Sequence, residues 1–180
     1  MILTDHVVLV DENDQVLGIE EKIKAHELAL LHRAFSVFIY RRQEDLIEFL
    51  LQQRHQNKYH CGGLWTNTCC SHPRLNEDVL LAGQRRLNEE LSINIPLNFV
   101  DTFIYKTKFD NGLTEHELDH VLVGEFDASQ TIVLEPTEAQ AFRWITVEQL
   151  EEELSAKPSC FTPWFKNAFD LVLEEICPKL

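Results

Sequence analysis

The residues best suited to chemistry in this sequence lie in two neighbouring segments. The polar stretch 65–73 contains Cys70 and His72, two positions apart, and segment 76–91 after it has a helical pattern with acidic residues at its start. A loop that ends in Cys-x-His and leads into an acidic helix is suited to binding a divalent cation. The arginines and glutamates of that helix are also spaced for ordinary ion pairs on a solvated surface, so the segment alone leaves both interpretations open.

A second group of candidate residues consists of acids and histidines. Glu115 and Glu117 are two positions apart in a predicted strand, so their carboxylates would face the same way and repel unless a cation or water separates them. His26 and His32 precede them, with Lys22 four residues before the first histidine. A solvated strand face and exposed histidines are the simpler explanation for each motif taken separately.

Taken together, these residues form a set of nitrogen and oxygen donors that suits an octahedral Mn²⁺, Mg²⁺, Fe²⁺ or Zn²⁺: His26, His32, His72, Glu115 and Glu117. A structural zinc site would instead use several cysteines in CxxC pairs, which the sequence lacks. Four cations in the same part of the chain could hold a phosphate group: Lys22, Arg54, Lys58 and Arg86.

Composition and charge exclude several classes of protein. The 180 residues carry a net charge of −14, which disfavours nucleic acid as a partner, and no apolar run approaches the ~20 residues of a membrane helix. Residues 22–86 nevertheless hold ten Lys and Arg against six Asp and Glu, which suits a small anionic ligand. Five cysteines with one vicinal pair, and an N-terminus without a signal-peptide pattern, predict a cytoplasmic protein with reduced thiols.

The elements that must position these residues alternate between strands and helices. Apolar patterning predicts strands at 6–10, 16–20, 34–40, 46–52, 99–108, 117–126 and 141–145, with hairpins joining the first two and the two around 110–112. Helices are predicted from Asn76 as N-cap to about Leu91, from Thr146 as N-cap to Leu154, and from Thr162 with Pro163 as the first helical residue. Residues 54–68 are predicted to form a loop. This pattern predicts an α/β sandwich, with residues 1–180 as a single domain.

The loop and helix resemble a degenerate Nudix box, G-x5-E-x7-R-E-U-x-E-E-x-G-U, where U is aliphatic. The matching positions are Ser71, Glu77, Arg85, Arg86, Leu87, Glu89, Glu90, Ser92 and Ile93. Ser71, Arg86 and Ser92 replace two glycines and a glutamate of that motif. Four further stretches, at 32–38, 66–73, 115–117 and 162–165, resemble type I isopentenyl-diphosphate isomerases, and order and spacing agree from about residue 5 to 176.

The resemblance implies a fold, an activity and a role for each residue. The fold would be a Nudix-like α/β/α sandwich with a mixed central sheet and an N-terminal hairpin elaboration. The activity would be interconversion of isopentenyl and dimethylallyl diphosphate through a carbocation-like intermediate, in isoprenoid biosynthesis. The three histidines and two glutamates named above would bind one Mn²⁺, Mg²⁺ or Zn²⁺. Glu90 and the Cys70 main chain would bind a Mg²⁺ that accompanies the substrate diphosphate.

The remaining roles implied by the resemblance concern substrate and proton transfer. Lys22, Arg54, Lys58 and Arg86 would contact the diphosphate. Cys70 and Glu117 match the catalytic pair, Tyr105 matches a tyrosine beside the glutamate, and Trp164 matches an aromatic wall. Because successive strand residues point to opposite faces, Cys70 is expected to face the site and Cys69 the core.

Two other functions remain open at this point. A Nudix diphosphohydrolase acting on a small diphosphate would use the same loop and helix, although the three replacements weigh against it. A metal-dependent binding module would use a thiolate zinc site formed by Cys61, Cys69, Cys70 and His72. The expected partner is a small isoprenoid diphosphate, with no nucleic acid and no membrane, and the chain would act as a monomer or homodimer.

Overall fold

A mixed β-sheet organises the structure, a computed structural model that describes residues 6–177. The first five residues, for which no signal peptide is predicted, and the last three lie outside the described residues. The nine strands of the described chain are β1 His6–Val10, β2 Val16–Glu21, β3 His32–Gln43, β4 Leu46–Arg54, β5 Trp65–Thr66, β6 Cys69–Ser71, β7 Asn98–Lys108, β8 Thr114–Glu125 and β9 Ala139–Thr146. The helices are α1 Lys22–Glu27, α2 Val79–Leu91, α3 Val147–Ala156 and α4 Phe165–Ile176, with a 3₁₀ turn at Pro158–Cys160.

Strand β3 is the centre of this sheet because it pairs with four others. It runs parallel to β8 and antiparallel to β1, β4 and β6. The parallel register places His32 opposite Glu117, and the β6 register places Ser36 opposite Cys70. Since residues 35–37 pair with both β6 and β8, those two strands lie on opposite edges of β3. The pairing therefore brings three separate segments to one place.

Each face of the sheet buries an apolar cluster beneath helices. Phe35, Val37 and Ile39 of β3 face one way and pack with Leu87 and Leu91 of α2. On the other face Phe38 packs with Phe165 and Phe169 of α4, with ring centroids 5.7 and 6.3 Å from its own. Alternation along β3 thus supplies both cores. The prediction of an α/β sandwich with a mixed sheet and an N-terminal hairpin is confirmed.

Two predicted helix starts are wrong, each for a local reason. Asn76 has φ of +62°, a left-handed turn conformation, so it cannot cap α2; Asp78 does so, accepting bonds from the Leu80 and Leu81 amides. Pro163 lies in the turn before α4, which begins at Phe165. Thr162, expected as the cap, instead places its hydroxyl 2.9 Å from that of Thr66.

Other elements also differ from the predictions in length or existence. The segment 54–68, predicted as a loop, contains the two-residue strand β5, because Trp65 and Thr66 pair with β4. Helix α1 was not predicted; it is six residues long and capped by Glu21. Strand β3 begins two residues earlier than expected, at His32, and β8 begins at Thr114, so that both strands extend into the site. Helix α3 follows its prediction, with Thr146 and Gln149 forming a capping box.

A buried asparagine ties the short strand β6 to the rest of the fold. The Asn67 amide donates to the carbonyls of Val37 and Cys69 at 3.2 and 2.7 Å. Its carbonyl oxygen accepts from the Thr66 hydroxyl at 2.9 Å and from the Trp164 indole at 3.2 Å. Asn67 is fully buried, so without it four buried hydrogen bonds would be lost and the Trp164 indole would lose its partner.

We expect Asn67→Ala to lower the free energy of unfolding by about 2–4 kcal/mol, because it removes four buried hydrogen bonds. Urea denaturation measures the loss. Asn57→Ala, at an exposed position in the loop before β5, is the control and should be near neutral. Equal stability of the two variants would contradict the role assigned to Asn67.

Candidate active site

A cavity of about 100 Å³ opens where β3, β6 and β8 meet α1 and the loop after β4. Its lining combines cations, histidines, carboxylates, a thiol and aromatic rings. It includes Lys22, Arg54, Lys58, Arg86, His60, His72, Glu115, Glu117, Glu138, Cys70, Tyr59, Tyr105 and Trp164. Chain segments far apart in sequence therefore converge on one pocket that holds most of the residues singled out from the sequence.

Four of the predicted metal ligands form a tight group at one side of this cavity. The donor atoms of His26, His32, His72 and Glu117 all lie within 4.8 Å of one another. Glu117 Oε1 is 3.4 Å from His32 Nε2 and 2.8 Å from His72 Nε2. The group is nearly excluded from solvent, since His26 and His32 are fully buried.

The backbone orients two of these histidines towards the group. His26 Nδ1 donates to the Lys22 carbonyl at 2.6 Å, and His32 Nδ1 donates to the Leu30 carbonyl at 2.8 Å. Each ring therefore directs its Nε2 to the centre, where that atom is buried without a hydrogen-bond partner among the described residues. Metal-ligating histidines characteristically hold the other ring nitrogen in this way.

Glu115, the fifth predicted ligand, lies in an adjoining group. Its Oε1 is 3.5 Å from His26 Nε2 and in contact with Nε2 of His60. The donor atoms of His26, His60 and Glu115 lie within 4.8 Å of one another. No sequence pattern marked His60, because it lies in the irregular loop before β5, whose path is set by tertiary contacts.

Tyr105 joins the two carboxylates. The β7–β8 register places it opposite Glu117, and its hydroxyl lies 3.1 Å from Glu115 Oε2 and in contact with Glu117 Oε2. Burial raises the pKa of Tyr105 well above its usual value. Burial also favours a raised pKa for Glu117, but the neighbouring His32 imidazole and Tyr105 hydroxyl outweigh that effect and lower the pKa to about 2.

Cys70 faces the cavity and Cys69 faces the core, as the alternation along β6 predicts. Cys69 is fully buried in the cluster under α2, whereas Cys70 lines the pocket. Cys70 Sγ is 3.7 Å from a guanidinium nitrogen of Arg54. Burial raises the pKa of Cys70 to about 12, so its thiol carries a proton.

The four predicted phosphate-binding cations all line the cavity: Lys22, Arg54, Lys58 and Arg86. Glu138 lies between two of them, in contact with Lys58 Nζ and 3.1 Å from a guanidinium nitrogen of Arg86. It enters the site from the segment before β9, and no motif indicated it. Burial lowers the pKa of Lys22, although Glu115 and Glu117 oppose the effect.

Among the predicted metal ligands, Glu90 is the one that belongs neither to the cavity lining nor to the two donor groups. It is buried one helical turn after Arg86, which donates to it at 2.6 Å, and Gln52 donates to its other oxygen at 2.9 Å. Its carboxylate therefore lies behind Arg86 and outside both donor groups.

The donor set is suited to a divalent cation held by nitrogen and oxygen. Neither donor group found among the described residues contains a cysteine, so the thiolate zinc site of the binding-module hypothesis is not formed. Buried unpaired imidazole nitrogens beside two carboxylates fit Mg²⁺, Mn²⁺ or Zn²⁺ chemically. In the part of the chain that the structure describes, no helix combines the length and apolarity of a membrane span.

We expect Mn²⁺ to raise the melting temperature of the wild-type protein, because an ion at 100 times its Kd stabilises the folded state by about 2.7 kcal/mol. Glu117→Ala should abolish this shift. Glu125→Ala, an exposed carboxylate on the same strand, serves as the control and should preserve it. Differential scanning fluorimetry measures the melting temperatures. A rise in melting temperature in Glu117→Ala as large as that in wild type would argue against the cluster as the binding site.

Comparison with known proteins agrees with this geometry. A family model for the NUDIX domain matches residues 30–165. The chain is 45% identical over 179 residues to an isopentenyl-diphosphate Delta-isomerase of Photobacterium profundum, covering 98% of both chains. It is 46% identical over 163 residues to the enzyme of that name from Burkholderia multivorans, covering 91% of this chain and 90% of the other.

Solved structures show the same fold at low sequence identity. The Deinococcus radiodurans protein DR0079 superposes with a TM-score of 0.72 at 17% identity, covering 92% of this chain and 98% of its own. A MutT protein from Methanosarcina mazei gives a TM-score of 0.63 at 17% identity, covering 81% and 96%. The fold is thus that of Nudix proteins, and the chain belongs to the NUDIX family and, within it, to the isopentenyl-diphosphate Delta-isomerases.

Proposed function

We propose that this protein interconverts isopentenyl diphosphate and dimethylallyl diphosphate and so serves isoprenoid biosynthesis. The observation that carries the proposal is the convergence of Cys70 and Glu117, from strands on opposite edges of β3, on one pocket. The names of the similar enzymes support the substrate and the reaction. The free state of all five cysteines supports a cytoplasmic location.

The reaction moves a double bond by adding one proton and removing another. A proton added to the terminal methylene carbon leaves positive charge on the neighbouring tertiary carbon. Loss of a proton from the next carbon along then forms the new double bond. Cys70 and Glu117 reach the pocket from different strands, so one can donate the proton and the other accept the one released.

The aromatic and buried character of the pocket protects this cationic intermediate. Trp164 is 3% exposed, and its indole nitrogen is held by Asn67, which fixes the ring in the wall. An indole face stabilises a nearby cation through its quadrupole. The ring centroid of Tyr105 lies 6.0 Å away, so two aromatic residues exclude the water that would capture the cation.

The rest of the site binds metal and the diphosphate. We propose His26, His32, His72, Glu115 and Glu117 as ligands of a Mn²⁺, Mg²⁺ or Zn²⁺, which when bound supplies positive charge that fixes the two carboxylates. Glu90 and the Cys70 carbonyl are proposed for a Mg²⁺ that accompanies the diphosphate. Lys22, Arg54, Lys58 and Arg86 would bind the diphosphate oxygens through charge-assisted hydrogen bonds.

A diphosphohydrolase is the alternative, and the site gives it little support. In the Nudix box that hydrolases use, a glutamate follows the first arginine, whereas Arg86 occupies that position here and pairs with Glu90.

The one-sheet architecture further supports a single catalytic domain over residues 1–180. Incubation with isopentenyl diphosphate, with products separated by chromatography, tests the proposal; phosphate release without dimethylallyl diphosphate would favour the hydrolase.

Cys70→Ala should reduce isomerase turnover by at least ~10²-fold, because a proton donor or acceptor is lost, while the fold and metal content are retained. Cys69→Ala is the matched control, since its thiol lies in the core and should affect stability rather than chemistry. Turnover, metal content and circular dichroism are measured for both. An active Cys70→Ala beside a folded but inactive Cys69→Ala would refute the proposed pair.

Trp164→Leu should lower kcat about tenfold more than Trp164→Phe, because only the phenyl ring retains a quadrupole for the cation, worth about 1–2 kcal/mol. Both variants lose the indole bond to Asn67, so their stability losses are matched. Steady-state kinetics give kcat for each. Equal kcat values would show that the wall acts by shape alone.

A further inference from the structure

His60 is a buried histidine of the site to which neither the sequence motifs nor the reaction assigns a role. It is 6% exposed, and its Nε2 lies in contact with Glu115 Oε1. Both ring nitrogens are buried, and neither has a hydrogen-bond partner of good geometry within residues 6–177, so the Nε2–Glu115 contact is the one that the ring makes to a polar group in that range. The polar group that the ring contacts is therefore a carboxylate that faces the metal-binding cluster.

Aromatic neighbours hold the imidazole ring of His60 in this orientation. It stacks on Phe109 with a centroid distance of 4.7 Å and an interplanar angle of 6°. It meets Trp164 edge-on at 6.0 Å and 87°. A ring fixed on two sides directs Nε2 at Glu115 without any backbone hydrogen bond of the kind that orients His26 and His32.

The position of His60 favours a role behind the ligands. It joins only the group formed with His26 and Glu115 and is not a member of the group that contains His32, His72 and Glu117. An ion centred in that larger group would therefore be held without a donor atom from His60. Two acceptor atoms in contact repel, so Nε2 must carry a proton that it donates to the carboxylate.

We propose that His60 is a positioning residue, which donates from Nε2 to Glu115 and so orients that carboxylate towards the metal ion. The inference rests on the ligand set in the proposed function. Such partners behind a ligand commonly change metal affinity by 10–100-fold when removed. His60 also connects the centre to the phosphate-binding side, because its carbonyl accepts a bond from Arg54 at 3.3 Å.

The test is Mn²⁺ affinity in the absence of substrate, measured by titration calorimetry and by electron paramagnetic resonance of bound and free Mn²⁺. His60→Phe retains the stacking and loses the donor, and it should raise the Kd for Mn²⁺ about 10–100-fold. His60→Gln can place an amide N–H near the Nε2 position and should restore most of the affinity. His55→Phe, in the same loop but outside the cavity lining, is the control and should bind like wild type.

Circular dichroism of the metal-free variants shows which of them fold. If His60→Phe does not fold, His60→Asn replaces it, because the asparagine amide is too short to reach Glu115. Wild-type affinity in a folded His60→Phe or His60→Asn would overturn the proposal. If pulsed electron paramagnetic resonance of bound Mn²⁺ shows one ¹⁴N coupling fewer in His60→Gln than in wild type, His60 is a direct ligand. That result would also overturn the proposal. Because no substrate is present, these results stand whether or not the protein isomerises isopentenyl diphosphate.

Discussion

The parallel pairing of β3 with β8 is the constraint on which the site depends. Its register sets His32 opposite Glu117. Along these strands, the polar residues of the site come directly after the apolar residues of the core. Along β8 the residues that face α4 include Val123 and Val121 in the core, followed by Asp119, Glu117 and Glu115. A shift by one residue would turn both glutamates and the valines to the other face of the sheet, and so disrupt both cores. The hydrophobic core therefore fixes the position of the metal-binding carboxylates.

Burial makes the electrostatics of this site demanding. Glu115 and Glu117 are 3% and 6% exposed and share the hydroxyl of Tyr105. Two carboxylates out of water destabilise the fold unless positive charge compensates them, and neutral histidines cannot supply it. A divalent cation can, and the imidazoles of His26 and His32 direct Nε2 towards the position it would take. At the other side of the pocket Glu138 and Glu90 balance the cations that would receive a diphosphate.

Local sequence signals predicted most elements correctly, and the exceptions have physical causes. Six-residue helices such as α1 carry too little periodicity to be distinguished from a turn, and its stability comes from packing and the Glu21 cap. Asn76 has a good capping side chain, but its left-handed backbone places that cap at Asp78 instead. His60 and Glu138 lie in irregular segments without a motif, so only the folded chain reveals that they contact Glu115 and Lys58.

The sequence by itself determined the chemistry available: the histidines and glutamates, the cations, the vicinal cysteines and the alternation that turns Cys70 away from the core. Residue types and period-two patterning are local properties, and so is the string Thr-Asn-Thr-Cys-Cys-Ser-His-Pro that marks the family. The tertiary structure decided which of these groups meet, because strand pairing joins residues some 85 positions apart, such as His32 and Glu117. It also placed Glu90 behind Arg86 and brought His60 against Glu115, since the packing of α2 and of the loop before β5 depends on the whole core rather than on any local pattern.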